Sequence, residues 1–378
     1  MNKQLRPILA LFFLAFASVS CFLIYPVILR QKGYSYSEIG LIIGSFSITA
    51  VLTRLPLSRI LSDWKEEHIS ILGLCITLFS TLLYVPLDGS FETLILVRIL
   101  HGIGFSAVVL GSFSFVAKAV NEENRYQTFL LIGIVLMACG GVIPFLSEIL
   151  VQLLSHRALY FASFLFAGLA LPFTRGLRQE DFKAPNPNDM TDSDHYMSWR
   201  FILLLIVTLL FSHVQATVFN FISLVFDELN LGMGGTYLLI FLAVSIFISV
   251  LLYKYPRFGS VKFGYMCIVI GCLLLNLKSL TWGVLVISAF LNGVALAIIY
   301  AALNSWASNF GSGRQKSFFM AAFTATYDTG FITGTILSGI FAKYYGLRNL
   351  FFLASSIAFF SLVGAIILLS SRYGGKRA

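Results

Sequence analysis

The sequence has little charge. Of its 378 residues, 11% are Asp, Glu, Lys or Arg and 58% are hydrophobic, whereas a soluble domain carries about 25% charged residues. A water-soluble enzyme of this length would lack the polar side chains needed to cover its surface. The composition therefore excludes an ordinary soluble domain and indicates a polytopic membrane protein.

Several chemical motifs are also missing. The chain has no P-loop GxxxxGK[ST], no HExxH and no Ser/His/Asp constellation, so we expect neither direct use of ATP nor an enzymatic activity. We expect no metal and no cofactor. The five cysteines form no CxxC pair or zinc spacing and are predicted to be small core residues: Cys21, Cys75, Cys139, Cys267 and Cys272.

The net charge of +9 does not indicate a nucleic-acid partner. Nucleic-acid binders cluster Lys and Arg on one solvated face, whereas here these residues stand singly between apolar runs. The basic excess is expected to report orientation in a lipid bilayer instead.

Twelve apolar runs follow one another, each bounded by charges, Gly or Pro, and a bilayer-spanning helix needs about 20 residues. They lie at 8–29, 37–58, 69–87, 93–117, 127–153, 158–174, 201–226, 234–253, 261–280, 282–305, 317–342 and 349–371. The first run lacks a small-x-small cleavage site and is interpreted as a helix rather than a signal peptide.

The basic residues set the orientation. If the N-terminus is cytoplasmic, 19 Lys and Arg lie on that side and six on the other, while Arg98 alone lies away from the ends of a run. The positive-inside rule therefore predicts a multi-pass protein of the cell inner membrane with both termini cytoplasmic.

A single long polar stretch, 175–200, divides the runs six and six. It holds two prolines and five acids without helical or strand periodicity, which is typical of a flexible linker. The predicted domains are a six-helix bundle at 1–174, a cytoplasmic linker at 175–200 and a second bundle at 201–378.

The two halves resemble each other. HGIG (101–104) aligns with NGVA (292–295) and RALYF (157–161) with RNLFF (348–352), both at an offset of 191. TRLPLSRILSDW (53–64) aligns with YKYPRFGSVKFG (253–264), and RYQTFLLIG (125–133) with RQKSFFMAA (314–322). Two parallel six-helix repeats are a known transporter construction, with substrate bound near the bilayer midplane.

Three motifs resemble those of the major facilitator superfamily. RLPLSRILSD (54–63) is similar to its loop signature, RILHGIGFSA (98–107) to its R-x-x-x-G-x-G motif, and YDTGFITGTILSG (327–339) to its twelve-helix exporters of drugs and metabolites. The resemblance implies an all-α integral membrane fold of twelve transmembrane helices in two parallel six-helix pseudo-repeats. The sequence departs from the family at Arg59, which replaces a Gly, and at an eroded antiporter signature in the fifth run, which weakens antiport specifically.

Arg98 and Asp328 are the strongest candidates for coupling. A charge inside a bilayer is costly, so Arg98 is expected to face an aqueous cavity or a partner, or alternatively to snorkel to the interface. Asp328 is a natural proton carrier because hydrocarbon disfavours its ionised form; otherwise it shapes helix packing beside Gly330 and Gly334. His101 lies at i+3 from Arg98 on the same face.

Further polar residues stand on the seventh and tenth runs, which line the central cavity in the family that the chain resembles. Each alone is more often an interhelical hydrogen bond than a ligand contact, but together they make a substrate site plausible. These candidates are His213, Gln215, Asn220, Asn292, Tyr300 and Asn304. Asp63 with Arg54 and Arg59 is interpreted as a cytoplasmic gate, with positive-inside anchoring as the alternative for the two arginines.

The predicted function is secondary active transport of a small organic molecule (a drug, metabolite or siderophore-like chelator), coupled to protons and directed outward. The expected partners are that substrate, protons and the lipid bilayer, with the protein as a monomer. A proton-coupled importer of a nutrient such as a siderophore, sugar or organic acid remains the alternative. A polytopic membrane enzyme is a weaker one, because it would need a charged catalytic cluster near one interface and the loops are short and plain.

Overall fold

The computed structural model describes residues 5–61, 63–87, 89–119, 122–178, 198–254, 260–310 and 314–374. Throughout these ranges the chain is helical, with no strand. Its α-helices are α1 (Leu5–Ser20), α2 (Tyr25–Gln31), α3 (Tyr36–Leu52), α4 (Arg54–Ile60), α5 (Glu66–Leu83), α6 (Phe91–Ala119), α7 (Glu122–Leu153), α8 (Arg157–Ala170), α9 (Trp199–Glu228), α10 (Gly234–Lys254), α11 (Val261–Leu275), α12 (Trp282–Ala307), α13 (Arg314–Tyr345) and α14 (Leu347–Gly374).

Within the described ranges the fourteen helices group into twelve helical segments, the number that the twelve-span fold requires. A 3₁₀ segment, Cys21–Ile24, joins α1 to α2 in the first span, α3 and α4 share the second, and Leu171–Leu177 extends α8 as a second 3₁₀ segment. Among the described residues, ten spans are long and apolar enough to cross a membrane, and α11 is a shorter apolar helix. The predicted twelve-helix architecture is confirmed, and the protein is a multi-pass membrane protein.

The turn between the first two spans shows how the sequence punctuates the helices. Gly33 adopts a φ of +92°, which a residue with a side chain rarely tolerates. Ser35 then caps α3: its hydroxyl accepts from the Glu38 amide, while the Glu38 carboxylate accepts from the Ser35 amide at 2.8 Å. This capping box satisfies backbone donors that would otherwise lack partners at the start of a helix.

The described chain divides into two compact units. Unit 1 comprises Met1–Lys183 and Phe226–Leu239, and unit 2 comprises Ala184–Val225 and Ile240–Ala378. In unit 1, an apolar core joins α1, α5, α6, α7 and α8 around Leu11, Phe12 and Val116. In unit 2, α11 packs against α12 and α14. The predicted division at 174 and 201 stays a prediction, and residues 179–197 of the predicted linker lie outside the described part.

Close contacts within each unit repeat at the offset read from the sequence. A Cβ at Gly73 would lie 2.6 Å from the amide nitrogen of Val108, and one at Gly264 would lie 3.1 Å from a side-chain carbon of Ile299. Gly264 follows Gly73 by 191 positions, and Ile299 follows Val108 by the same number. Gly102 lies against the backbone oxygen of Phe46, and Gly293, 191 positions later, lies against that of Phe241, which follows Phe46 by 195 positions. The predicted six-plus-six repeat is confirmed by these matched contacts; the aligned Pro256 lies outside the described residues.

Large apolar side chains cover much of the helix surface. Leu96, Phe247, Phe352 and Phe360 are all more than half exposed. Such side chains suit contact with lipid rather than water. Cys21, Cys139, Cys267 and Cys272 are buried as predicted, but Cys75 is exposed on α5, so its assignment to the core is wrong. Helix α5 is apolar at most positions, so the sequence pattern does not distinguish its lipid-facing positions, such as Cys75, from its core positions.

Candidate functional site

Arg98 lies on α6, deep inside unit 1, with 3% of its surface exposed. Its guanidinium carbon lies 4.9 Å from the ring centroid of Phe22, 5.0 Å from that of Phe46 and 5.6 Å from that of Tyr25. A cation above an aromatic face is attracted by the negative face of the ring. The side chain is enclosed by rings, so it does not snorkel to the interface.

These rings belong to a larger group contributed by four spans. Tyr84 stacks on Tyr160 at 5.1 Å, and both pack against Tyr25 at 5.9 and 6.1 Å. Phe22 packs against Tyr84 at 5.0 Å. We call Arg98, His101 and these five rings, Phe22, Tyr25, Phe46, Tyr84 and Tyr160, the Arg98 cluster.

His101 lies in the same cluster, as the i+3 spacing predicted. It is fully buried, and its ring meets those of Phe22 and Phe46 edge-on at 5.2 Å each. Within the described residues, neither ring nitrogen of His101 makes a hydrogen bond, and Nε and Nη1 of Arg98 likewise make none. The structure therefore brings together two predicted residues whose buried polar atoms have no partner in the described chain.

Asp328 lies in unit 2, half-buried near the middle of α13. It is close enough to Tyr300 and Tyr327 to interact with both electrostatically. The two tyrosine rings meet edge-on at 5.4 Å, and Asn304 lies within hydrogen-bonding reach of Tyr300. Three predicted residues, Asp328, Tyr300 and Asn304, thus form one group with Tyr327, which sequence reasoning did not single out.

The predicted residues of α9 have different surroundings. Both side-chain polar atoms of Gln215 are fully buried without a hydrogen-bond partner in the described chain. His213 is buried, and its backbone oxygen lies 2.5 Å from where a Cβ of Gly334 would be. This close approach explains the Gly at 334: α9 and α13 pack too tightly for a side chain at this point.

Asn220 and Asn292 serve helix packing within unit 2. Asn220 donates to the hydroxyl of Thr335 at 2.9 Å, which links α9 to α13. The Asn292 amide donates to the backbone oxygen of Ser288 in its own helix at 3.0 Å and lies against Gly271 of α11, while its Oδ1 accepts from the Cys272 Sγ of α11 at 3.9 Å. Both residues follow the interhelical alternative that the sequence left open.

The predicted gate residues lie at the end of the second span. Arg54 is half-buried, whereas Arg59 and Asp63 are exposed. Near them, the Arg178 Nε donates to both carboxylate oxygens of Glu67, at 2.7 and 2.9 Å. This pair ties the first turn of α5 to the end of the 3₁₀ segment after α8.

One carboxylate that sequence reasoning missed is Glu148 on α7. Its Oε2 accepts from the amide of Gly235 at 2.7 Å and its Oε1 from that of Gly234 at 3.1 Å. Both amides belong to the first turn of α10, in the part of that helix that unit 1 includes. The acid sits within an apolar run, so only its isolation among hydrophobic residues could have drawn attention to it.

No group of three or more His, Cys, Asp or Glu in the described ranges is placed to hold a metal ion. The described residues offer a buried guanidinium, an imidazole, tyrosine hydroxyls and single intramembrane carboxylates. These groups bind and release ligands and protons, and they are spread over helices of two similar units.

The sequence pattern of the Major Facilitator Superfamily matches residues 8–281 and 233–377. An uncharacterised transporter of this type from Methanocaldococcus jannaschii is 24% identical over 363 residues, covering 91% of both chains. Multidrug resistance protein 2 of Bacillus subtilis is 31% identical over 119 residues, which is 30% of this chain and 28% of that protein.

A solved structure has the same fold. The crystal structure of a POT family transporter in complex with 5-aminolevulinic acid superposes with a TM-score of 0.80 at 13% identity, over 99% of this chain and 97% of that one. The repeated helix contacts, the twelve spans and the family match lead to one conclusion. The chain belongs to the Major Facilitator Superfamily and is a membrane transporter of small molecules.

Proposed function

We propose that this transporter exports a small organic molecule across the inner membrane in exchange for protons, by alternating access, with both termini in the cytoplasm. The observation that carries the proposal is the position of Asp328, a carboxylate near the middle of a membrane span beside Tyr300 and Tyr327. An ionised carboxylate in a membrane span costs about 2.5–3.5 kcal/mol on insertion scales. Proton binding removes that cost, so the occupancy of Asp328 by a proton biases the two states of the cycle.

The packing around Asp328 supports a role in conformational change. Ser212 of α9 donates to the backbone oxygen of Tyr327 at 2.5 Å. A Cβ at Gly330 would lie 2.5 Å from the backbone oxygen of Leu209. Helix α13 therefore lies close against α9 directly beside the acid. Because the two helices are closely packed there, a small displacement of α13 has to move α9 as well. A change in the charge of Asp328 that shifts α13 therefore also shifts α9.

The outward direction is supported by two observations. The motif in α13 resembles drug and metabolite exporters, and the chain is similar over 119 residues to a protein named for multidrug resistance. The exposed Asp63, with Arg54 and Arg59 nearby in sequence, is proposed to gate the cytoplasmic side through ion pairs that form in one state and break in the other.

The coupling is tested in proteoliposomes that hold a trapped pH-sensitive dye. A panel of small organic molecules is added to vesicles bearing the native chain, and the substrate-induced pH change identifies a transported member. Asp328→Asn is expected to abolish that pH change while leaving the protein folded and inserted. The matched control is Glu92→Gln, which alters an exposed acid in the first turn of α6. Undiminished proton movement in the Asp328 variant would overturn the proposed coupling.

The direction is tested in the host by deleting the protein and measuring metabolites on both sides of the membrane. Internal accumulation with external depletion supports export. Failure to take up an external nutrient would reverse the direction and favour the proton-coupled importer, the alternative that the weakened antiporter signature in the fifth run leaves open. The protein is proposed to be a monomer. Size-exclusion chromatography with light scattering of the purified protein in detergent tests this.

A further inference from the structure

The Arg98 cluster holds a positive charge that the described residues do not balance. Arg98 is 3% exposed, and no carboxylate in the described chain lies within ion-pair distance of it. Its Nε and Nη1 are buried without a hydrogen-bond acceptor among those residues. A cation taken out of water is strongly destabilised unless an anion and hydrogen bonds replace its solvation.

The aromatic rings compensate for this charge only in part. The faces of Phe22, Phe46 and Tyr25 lie 4.9, 5.0 and 5.6 Å from the guanidinium carbon and attract it as a cation. The faces of Phe22 and Phe46 offer no lone pair to the N–H groups, whose directions are fixed by the planar guanidinium. The donors of Arg98 remain to be satisfied by an acceptor that comes from outside the described chain.

His101 supplies a second unsatisfied group in the same enclosure. It is fully buried, and both of its ring nitrogens are without a hydrogen-bond partner in the described residues. An imidazole always carries at least one N–H donor. The cluster thus combines a forked cation and a further donor within walls made of flat apolar rings.

We propose that the Arg98 cluster binds the carboxylate of an organic anion that carries a flat apolar group. The inference rests on the proposed function in taking this anion to be the transported substrate, and it names the chemical class of that substrate. A planar carboxylate accepts two parallel hydrogen bonds from a guanidinium, which an ammonium cannot donate. The second feature, a flat apolar group, matches the faces and edges of the surrounding rings.

The charge of the cluster selects among anions. One guanidinium balances the single negative charge of a carboxylate, whereas a phosphate monoester carries about −1.5 to −2 at neutral pH and would leave excess negative charge in an apolar enclosure. A halide has the right charge but offers one acceptor atom rather than two oxygens aligned with the parallel N–H groups, and it lacks a group to contact the rings. A neutral ligand leaves the guanidinium unbalanced.

The rings of Phe22 and Phe46 cover the cluster, since both lie against Arg98 and His101. Phe22 belongs to the 3₁₀ segment Cys21–Ile24, which interrupts the first span between α1 and α2. A 3₁₀ stretch inside a longer helix has poorer hydrogen-bond geometry and often marks a hinge. Movement at this segment turns the Phe22 ring away and opens a path to the guanidinium.

The test measures ligand-induced thermal stabilisation of the purified full-length chain in detergent, with sodium benzoate as the probe. Benzamide is the neutral analogue of the same shape, and sodium chloride and sodium phosphate are added at matched ionic strength. A ligand that binds the folded state raises its melting temperature in proportion to the logarithm of its concentration above Kd. We expect benzoate to raise the melting temperature. Benzamide, chloride and phosphate are each expected to bind with an apparent affinity at least tenfold lower than that of benzoate.

Two variants and a control locate the binding. Arg98→Gln is expected to reduce the apparent affinity for benzoate at least tenfold, and Arg98→Lys to retain part of it because the charge remains without the fork. The control is Arg30→Gln, because Arg30 also lies over an aromatic ring of unit 1, 4.5 Å from the centroid of Tyr36, but outside the cluster. Arg30→Gln is expected to bind benzoate as the native chain does.

Several results would overturn the inference. Equal stabilisation by benzoate and benzamide would remove the charge from the explanation, and stabilisation by chloride alone would assign a halide site. Absence of any benzoate effect on the native chain, or full retention in Arg98→Gln, would place anion binding elsewhere or nowhere. The measurement uses no gradient, so it can fail while Asp328-dependent proton coupling stands, and it can succeed while that coupling fails.

Discussion

The carboxylate of Glu148 caps the N-terminus of α10: its Oε2 accepts a hydrogen bond from the amide of Gly235 at 2.7 Å, and its Oε1 accepts from the adjacent amide at 3.1 Å. A Cβ at Gly235 would lie 2.7 Å from the Cα of Phe145 on α7. The acid supplies charge where the helix dipole is positive, and the missing side chain permits the close approach. Gly235 lets α10 approach α7 closely enough for Glu148 to reach the two amides, and the hydrogen bonds of Glu148 stabilise that approach.

The first prediction follows from this pair. Glu148→Gln keeps one acceptor oxygen but loses the charge, so we expect it to cost about 1–2 kcal/mol of stability. Gly235→Ala is expected to cost more, because a backbone atom rather than a flexible side chain blocks the new methyl group. Thermal unfolding of the purified variants measures both. Gly133→Ala on α7 is the control, since a Cβ there meets nothing within 4 Å; a Gly235→Ala protein as stable as this control would contradict the prediction.

A second prediction concerns transport by variants of Arg98. Arg98→Ala is expected to lose transport of an identified substrate by more than tenfold, and Arg98→Lys to recover only part, because an ammonium does not donate two parallel bonds. Initial rates in proteoliposomes measure the effect, with Arg30→Ala as the control. Normal transport by Arg98→Ala would make the residue an anchor and move the proposed site to α9 and α12.

A third prediction uses the repeated glycine contacts. Gly102→Ala and Gly293→Ala each place a methyl group against a backbone oxygen, of Phe46 and Phe241 respectively. Overpacking of this kind costs about 1–3 kcal/mol, and since the two sites are equivalent in the repeat, we expect similar losses. Chemical or thermal unfolding compares them with Gly133→Ala. A loss of stability in only one of the two variants would show that the two glycine contacts, although similar in geometry, do not contribute equally to the free energy of unfolding.

A fourth prediction tests the pair of Glu67 and Arg178. The side chain of Glu67 is 6% exposed and that of Arg178 is 70% exposed. Removing the arginine leaves a buried carboxylate without its partner, so Arg178→Gln is expected to destabilise at least as much as Glu67→Gln. A double-mutant cycle of unfolding free energies should give a coupling of about 0.5–1 kcal/mol, reduced by salt. Additive single effects would indicate that the pair contributes nothing to stability.

The periodic features of the fold could be predicted from sequence because the bilayer imposes them. Each span must satisfy its backbone internally and present apolar side chains over a fixed thickness, so run length and count translate directly into helices. The break in the first span at Cys21–Ile24 could not be predicted in this way. Its residues are as apolar as their neighbours, and the 3₁₀ geometry depends on packing with other spans.

The candidate sites were less accessible to sequence reasoning. Arg98 and His101 stand out as polar residues in an apolar run, but the rings around them come from distant spans, Tyr84 from the C-cap of α5 and Tyr160 from α8. Asn220 and Asn292 carry the same sequence signal as Gln215, yet Asn220 donates to Thr335 of α13 and Asn292 accepts from Cys272 of α11. Residue type and spacing do not encode which face of a uniformly apolar helix meets which neighbour.

Phe46 joins two features described above, since its backbone oxygen touches Gly102 while its ring covers Arg98. The fit of α6 against α3 thereby sets how firmly the guanidinium is covered. In a genetic screen for transport-deficient alleles, substitutions at position 102 are consequently expected to be recovered alongside those at position 98. A geneticist mapping such alleles would place residue 102 in the ligand site, although it has no side chain with which to reach a ligand.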